Sequence, residues 1–360
     1  MNILYIDNSA ISYKAGRYLT YSKNGELLLK LKNAGHTVTA FQFVSESESI
    51  STFDYQANDI RVLPQCRLSN KILSYIRAFG SLIRAVRKSD CVYIYYPNAF
   101  KPILPVCRLL SIPYGLYIRG MIGVTNRLSK WNYRHASFII ETGKFAEKVG
   151  CEAYLPKPMI NYTQSDINRN RSYPSAIERL HILFLGRLDK QKGLVELLEA
   201  ARKLSETGRE FHLTIVGNGG DKKELISLQR KFDLESRVTF YGVTSNAEEI
   251  KSLYRDADVY IIPTYHEGFP RTIYEAMIFG TPVITTMVGG IPDLMKDGHN
   301  CKAIAPRSVD SIVDALEYVY SHYDEAVRWA KQGFADISQV LERPTHAEVL
   351  LAEIAKLYVK

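Results

Sequence analysis

The feature that most constrains this chain is an alternation that occurs twice. Short apolar, strand-like runs fall over residues 3–6, 37–44, 91–96, 114–118 and 138–140, with amphipathic helical stretches between them. A second series places strands at 182–185, 212–216, 238–241, 259–263 and 282–285, and helices at 194–205, 222–232, 247–254, 271–279 and 308–320. Strand–helix–strand order, with stops such as Gly35 at the junctions, predicts α/β architecture: parallel sheets covered by helices on both faces. The polar, proline-marked stretch 156–178 reads as a linker. The reading is a first domain over 1–160 and a second over 161–344, with a last helix at about 345–360 packing back on the first. Two doubly wound domains facing one another leave a cleft at the carboxyl ends of both sheets, where such sheets bind ligands.

Composition excludes several classes. The chain has 360 residues, 46 % of them hydrophobic and 23 % charged, which excludes a disordered or collagen-like chain. No stretch reaches the ~18 apolar residues of a membrane span; the nearest, 103–118, carries Arg108 and two prolines. The first seven residues have no basic start, and Asp7 interrupts their apolar run, so they do not read as a signal peptide. Five cysteines without a C-x-x-C pair fit a reducing compartment, and the expected location is the cytoplasm.

The net charge of +8 is unevenly spread. Residues 1–160 hold 21 Lys and Arg against 10 Asp and Glu, whereas the remainder holds 25 against 28. The densest part, 61–134, has 13 basic residues and one acid, Asp90. Within it, residues 67–88 show helical period: Ile72, Ile76, Phe79, Leu82, Ile83 and Val86 share one face, and Arg77, Arg84, Arg87 and Lys88 another. Two readings stand for the basic face: a solvated surface, or a docking face for an anionic membrane.

Residues 255–298 are the richest in motif. Glu267 follows a strand, Gly268 and Pro270 shape the entry to a helix, Glu275 lies about one turn in, and Gly289-Gly290 follow the next strand. The exposed N–H groups and positive dipole end of a helix N-terminus suit a diphosphate. This stretch, E-G-F-P-R-T-I-Y-E, resembles the E-x7-E signature of glycosyltransferase family 4. Three further stretches are similar to family motifs in the same order: 184–193 with G-R-L-D-K-Q-K-G, the glycine turn at 213–220, and the strand 238–243.

The resemblance implies a GT-B fold and a retaining glycosyltransferase that uses a nucleotide-diphosphate sugar and no metal. It implies that Arg187 and Lys192 hold the diphosphate, that Glu267 contacts the donor sugar and that Glu275 binds ribose hydroxyls. The backbone of Gly268, Phe269, Pro270 and Arg271 lines the sugar–phosphate pocket, and Gly186, Val243 and Thr272 complete the expected donor set. The expected acceptor is a glycan or lipid-linked glycan of bacterial surface type. In the first domain, Arg119 stands where many relatives carry a histidine, and reads either as an acceptor or phosphate contact or as a surface cation. The first strand-to-helix turn, 8–16, has one glycine where relatives often have two, so Lys14 and Gly16 are lesser candidates.

Other signals are weaker. Gly217-Asn-Gly-Gly-Asp-Lys222 lacks the third glycine of a dinucleotide fingerprint, and no Walker sequence occurs. The eight histidines form no metal-like cluster. Asp256 and Asp258 match D-x-D but lie at a helix-to-strand junction, which favours a structural role. His266 reads as an exposed loop histidine. Two rival functions remain: a nucleotide-sugar epimerase of the same fold, and a basic nucleic-acid-binding protein, against which no nucleic-acid motif appears.

Overall fold

A computed structural model describes residues 1–7, 9–45, 52–66, 71–119 and 126–358, with only the backbone described for Lys71 and Ile72. The chain forms two compact units: Met1–Met159 with Arg343–Lys360, and Ile160–Glu342.

The first unit runs β1 (Asn2–Ile6), β2 (Ile11–Lys14), β3 (Arg17–Thr20), α1 (Ser22–Asn33), β4 (Thr37–Ser45), β5 (Phe53–Asp54), β6 (Arg61–Gln65), α2 (Lys71–Val86), β7 (Cys91–Tyr96), α3 (Ile103–Leu109), β8 (Tyr114–Ile118), α4 (Arg127–Arg134) and β9 (Phe138–Glu141). Strands β6, β4, β1, β7, β8 and β9 pair in parallel. Alternation along β1 sorts side chains to two cores. Leu4 and Ile6 meet Leu82 and Val86 of α2 and Ile103, Leu104 and Cys107 of α3. Ile3 and Tyr5 meet Leu27, Leu28 and Leu31 of α1.

Residues 9–16 do not form the short strand-to-helix turn expected, and Asn8 lies outside the described residues. Strands β2 and β3 make an antiparallel hairpin, with Lys14 paired to Arg17 across Ala15-Gly16. Both turn residues have positive φ, 48° and 81°, the signature of a type I′ turn. Alternating β-formers from Ile11 to Thr20 favour a hairpin over a helix start. Lys14 and Gly16 therefore stand exposed at a hairpin tip.

Helix α2 also differs. Ala78, Leu82 and Val86 are buried, with Ser74 on the same i, i+4 line. Ile76, expected in the core, is 63 % exposed. The apolar arc of α2 is wider than its contact. Small Ser74 and Ala78 take the tight seam, while Tyr75 packs edge-on against Phe43 and Phe100. The side chain of Ile72 lies outside the described residues.

Helix α11 (His346–Lys356) belongs to this unit. A reciprocal capping box starts it: Thr345 N–H donates to Glu348 and Glu348 N–H to Thr345 Oγ1. Ala347, Val349, Leu350 and Ile354 join the core beside α1. His346 is buried, stacks on Tyr117 at 4.2 Å and pairs through Nε2 with Tyr93 Oη at 2.5 Å. Burial, then the charge of Arg119, pushes its pKa down to about 3. A folded pKa below the unfolded one means that the native state resists protonation. Stability is thus full above ~6.5 and falls as pH drops from there toward 3. His346→Gln should remove about 2 kcal/mol of destabilisation otherwise incurred between pH 7 and 5. Thermal unfolding of both proteins at the two pH values measures it.

The second unit runs β10 (Leu180–Leu185), α5 (Leu194–Glu206), β11 (Phe211–Val216), α6 (Lys222–Lys231), β12 (Val238–Gly242), α7 (Ala247–Asp256), β13 (Val259–Ile262), α8 (Arg271–Phe279), β14 (Val283–Thr286), β15 (Lys302–Ile304), α9 (Val309–Ser321) and α10 (Tyr323–Leu341). Its sheet is parallel, in the order β12-β11-β10-β13-β14-β15. Strand order reverses between β10 and β13, and that switch point is where such sheets open a ligand crevice.

From residue 160 onward, the stretch read as a linker is part of this unit. Tyr162 and Ile167 enter its core. Arg171 donates to the carbonyls of Tyr254, Ala257 and Phe279 and to Thr281 Oγ1 at 2.6–3.2 Å. Polar composition disguised a strap whose arginine closes the ends of α7 and α8.

Candidate functional site

The switch point gathers most of the residues singled out in the second unit. The loop after β10 carries Gly186, Arg187 and Lys192; the loop after β13 carries Glu267, Gly268, Phe269 and Pro270. Backbone bonds stitch these loops together. Tyr265 N–H and Thr264 Oγ1 both donate to Gln191 O, at 2.8 and 3.0 Å. Gly290 N–H, after β14, donates to Gly268 O at 2.7 Å.

Two glycines permit this approach. Gly193 (φ 71°) lies against the Pro263 carbonyl and Gly289 (φ 62°) against that of Glu267; a Cβ at either would collide with backbone.

Lys192 Nζ and Glu267 Oε1 form an ion pair, with only 12 % and 15 % of their side chains exposed. Arg187 sits differently. Its side chain is 71 % exposed and pairs with Asp189 in its own loop at 3.2 Å.

Helix α8 begins at Arg271, behind Pro270 in an extended conformation. Ile273 N–H donates to Pro270 O at 3.2 Å, and the first turn carries the positive dipole end of the helix. Two buried tyrosines hold the helix in place. Tyr260 Oη donates to Thr272 Oγ1 at 2.6 Å. Tyr254 Oη lies 3.1 Å from Glu275 Oε2 and 3.2 Å from Thr272 O. Burial, then the Glu275 charge, pushes the Tyr254 phenol far up, so it stays a donor. Phe269 stacks on Tyr274 at 4.3 Å. Val243 stands exposed just after β12, whose last carbonyl, on Gly242, accepts from Gly217 N–H.

Tyr254 and Tyr260 are not marked by the sequence: one lies in a charged helix, the other in an apolar strand, and the only sign of either phenol is its position before the motif. His266 is exposed. Asp258 is tied into structure, accepting from His181 N–H at 2.8 Å. Among the described residues no group of three His, Cys, Asp or Glu is placed to hold a metal ion.

Three of the candidates belong to the first unit. Lys14 and Gly16 occupy the hairpin tip. Arg119 follows β8, is exposed, and lies over the Tyr95 ring at 5.9 Å. Its charge reaches the buried Asp7 carboxyl, whose pKa burial raises. Gly120 lies outside the described residues.

The sequence pattern of glycosyl transferases group 1 matches residues 168–336, nearly the whole second unit. The second unit belongs to the glycosyl transferases group 1. An uncharacterized glycosyltransferase of Methanocaldococcus jannaschii is 34 % identical over 160 residues, covering 44 % of this chain and 40 % of that protein. A putative colanic acid biosynthesis glycosyltransferase, WcaL of Escherichia coli K12, is 32 % identical over 160 residues, covering 42 % and 38 %. The match thus spans about two fifths of each relative's length. The crystal structure of Anabaena HepE in complex with UDP superposes with a TM-score of 0.68 at 17 % identity, covering both chains completely. The chain has the GT-B fold of these glycosyltransferases, and its group 1 unit carries the Lys192–Glu267 pair at its switch point.

Proposed function

We propose that the protein transfers a sugar from a nucleoside-diphosphate donor to an acceptor hydroxyl, with retention at the anomeric carbon. The observation that carries this is the convergence of Lys192, Glu267 and the α8 N-terminus at the switch point, with Glu275 held behind them by Tyr254. On this reading, Lys192, the more exposed Arg187 and the α8 N–H groups receive the diphosphate. Glu275 accepts from ribose hydroxyls and Glu267 from hydroxyls of the donor sugar. The backbone beside Gly186 and Val243 faces the nucleoside.

The bond from C1 of the sugar to the phosphate oxygen breaks, and the acceptor oxygen bonds to C1. The acceptor's proton leaves with the diphosphate or to solvent. Cations held in place before the reaction stabilise the growing phosphate charge, in the role that a metal ion fills in other transferases. This reading requires no metal. The UDP in the fold relative supports a nucleotide sugar as donor, and the colanic acid relative supports a surface polysaccharide or lipid-linked glycan as product. Such acceptors place the enzyme in the cytoplasm, at the inner face of the membrane.

Melting shifts with UDP-, GDP- and ADP-glucose identify the base; one of the three should stabilise the protein. Glu275→Ala should weaken that donor about 30-fold, the loss of a charged acceptor of hydroxyl hydrogen bonds. Full turnover in Glu275→Ala would sink the assignment. Release of an isomerised sugar without acceptor would make the protein an epimerase.

A further inference from the structure

The outward side of α2 is a continuous strip at three- and four-residue spacing: Leu73, Ile76, Arg77, Gly80 and Arg84, continued just past the helix end by Arg87 and Lys88. All seven are exposed. Leu73 and Ile76 are 53 % and 63 % exposed, uncommonly open for a leucine and an isoleucine on a helix whose other face is packed. Helix α3, which packs against α2, ends the same way: Arg108 is exposed beside Leu109, at 84 % exposure.

We propose that this strip is the surface by which the first unit docks on a bilayer of anionic phospholipid. It names the contact behind the membrane placement proposed above. Cations alone would suit any polyanion. The aliphatic side chains decide between partners. A helix lying in a membrane interface needs apolar groups that sink to the acyl boundary, with lysines and arginines at headgroup level. A surface for single-stranded nucleic acid offers aromatic rings for bases to stack on, which the strip lacks, and a surface for duplex phosphates has no use for exposed aliphatic side chains. The charge complements the partner: residues 61–134 hold 13 basic residues against Asp90. Asp90 itself accepts from Asn2 N–H at 2.7 Å.

Sedimentation of the full chain with phosphatidylcholine vesicles, with and without phosphatidylglycerol, tests this. The wild type should bind only the anionic vesicles, more weakly as salt rises. Reversing Arg77, Arg84 and Arg87 to Glu should weaken binding about a hundred-fold, each basic residue near an anionic surface contributing several-fold. The pair Leu73→Ser and Ile76→Ser should cost about ten-fold and leave the salt dependence unchanged, because it removes the apolar component alone. Melting curves and the nucleotide-induced shift confirm that each variant is folded. Equal binding by wild type and charge-reversed protein would overturn the strip while leaving a peripheral enzyme. Absence of wild-type binding to anionic vesicles would overturn both. A wild type that ignores vesicles but binds RNA through these arginines would assign the strip to nucleic acid.

Discussion

Lys192→Gln should lower kcat/KM for the nucleotide-sugar donor about a thousand-fold, whereas Arg187→Ala should lower it only about ten-fold. The difference follows from burial. Lys192 is mostly enclosed and held between two stitched loops, so its charge acts through little water. A fixed charge in such a setting contributes ~4 kcal/mol to a transition state that gains negative charge. Arg187 is largely in solvent and already shares its charge with Asp189. It contributes what a screened surface cation can, ~1 kcal/mol. Glutamine keeps a donor toward Glu267, so the fold is preserved and the loss reports charge. Equal losses in the two variants, measured in steady-state transfer assays, would reject this division of labour.

Glu267→Gln should move two observables in opposite directions. Without ligand, Glu267 is the counterion of Lys192. A diphosphate that takes Lys192 must displace that carboxylate, which competes for the same ammonium. Removing the negative charge should tighten binding of the nucleoside diphosphate product about ten-fold. On the proposed function the same substitution also removes a carboxylate acceptor for the donor sugar, so transfer should fall about a hundred-fold. Calorimetry with UDP, GDP or ADP, whichever base the protein selects, gives the first quantity, and initial rates give the second. Parallel losses would show that the pair serves only to hold the loops.

These expectations draw unequally on sequence and structure. Apolar runs located the central parallel strands of both units, because a strand buried on both faces must be apolar throughout, but missed β6 and β15, which pair on one side only and are mostly half-buried. The motif at 267–275 marked the loop after β13. What it could not supply was the partner: Lys192 lies 75 residues upstream, and only the β10–β13 adjacency brings it to Glu267. Tyr254 and Tyr260 escaped notice for a related reason. A tyrosine outside any motif looks like packing, and its hydroxyl acquires meaning only from the acceptor it reaches. The hairpin of β2 and β3 was missed because a single glycine was weighed as a helix entry, when Ala15-Gly16 also fits a two-residue turn. For α2, periodicity marked an apolar arc but not which part of it meets a neighbour. Ser74 and Ala78 took the contact and left Ile76 outside.

The strap at the start of the second unit bears on how this half can be separated or exchanged. Cut before β10, at the first regular strand, the fragment would lose Arg171 and expose the carbonyls of Tyr254, Ala257 and Phe279 that the guanidinium satisfies. Tyr254 is also the residue that orients Glu275. A swap made at that point would transplant a sheet with its Tyr254–Glu275 contact already loosened. The separable unit is therefore longer than its secondary structure suggests, and its seam lies at Ile160, ahead of the buried Tyr162.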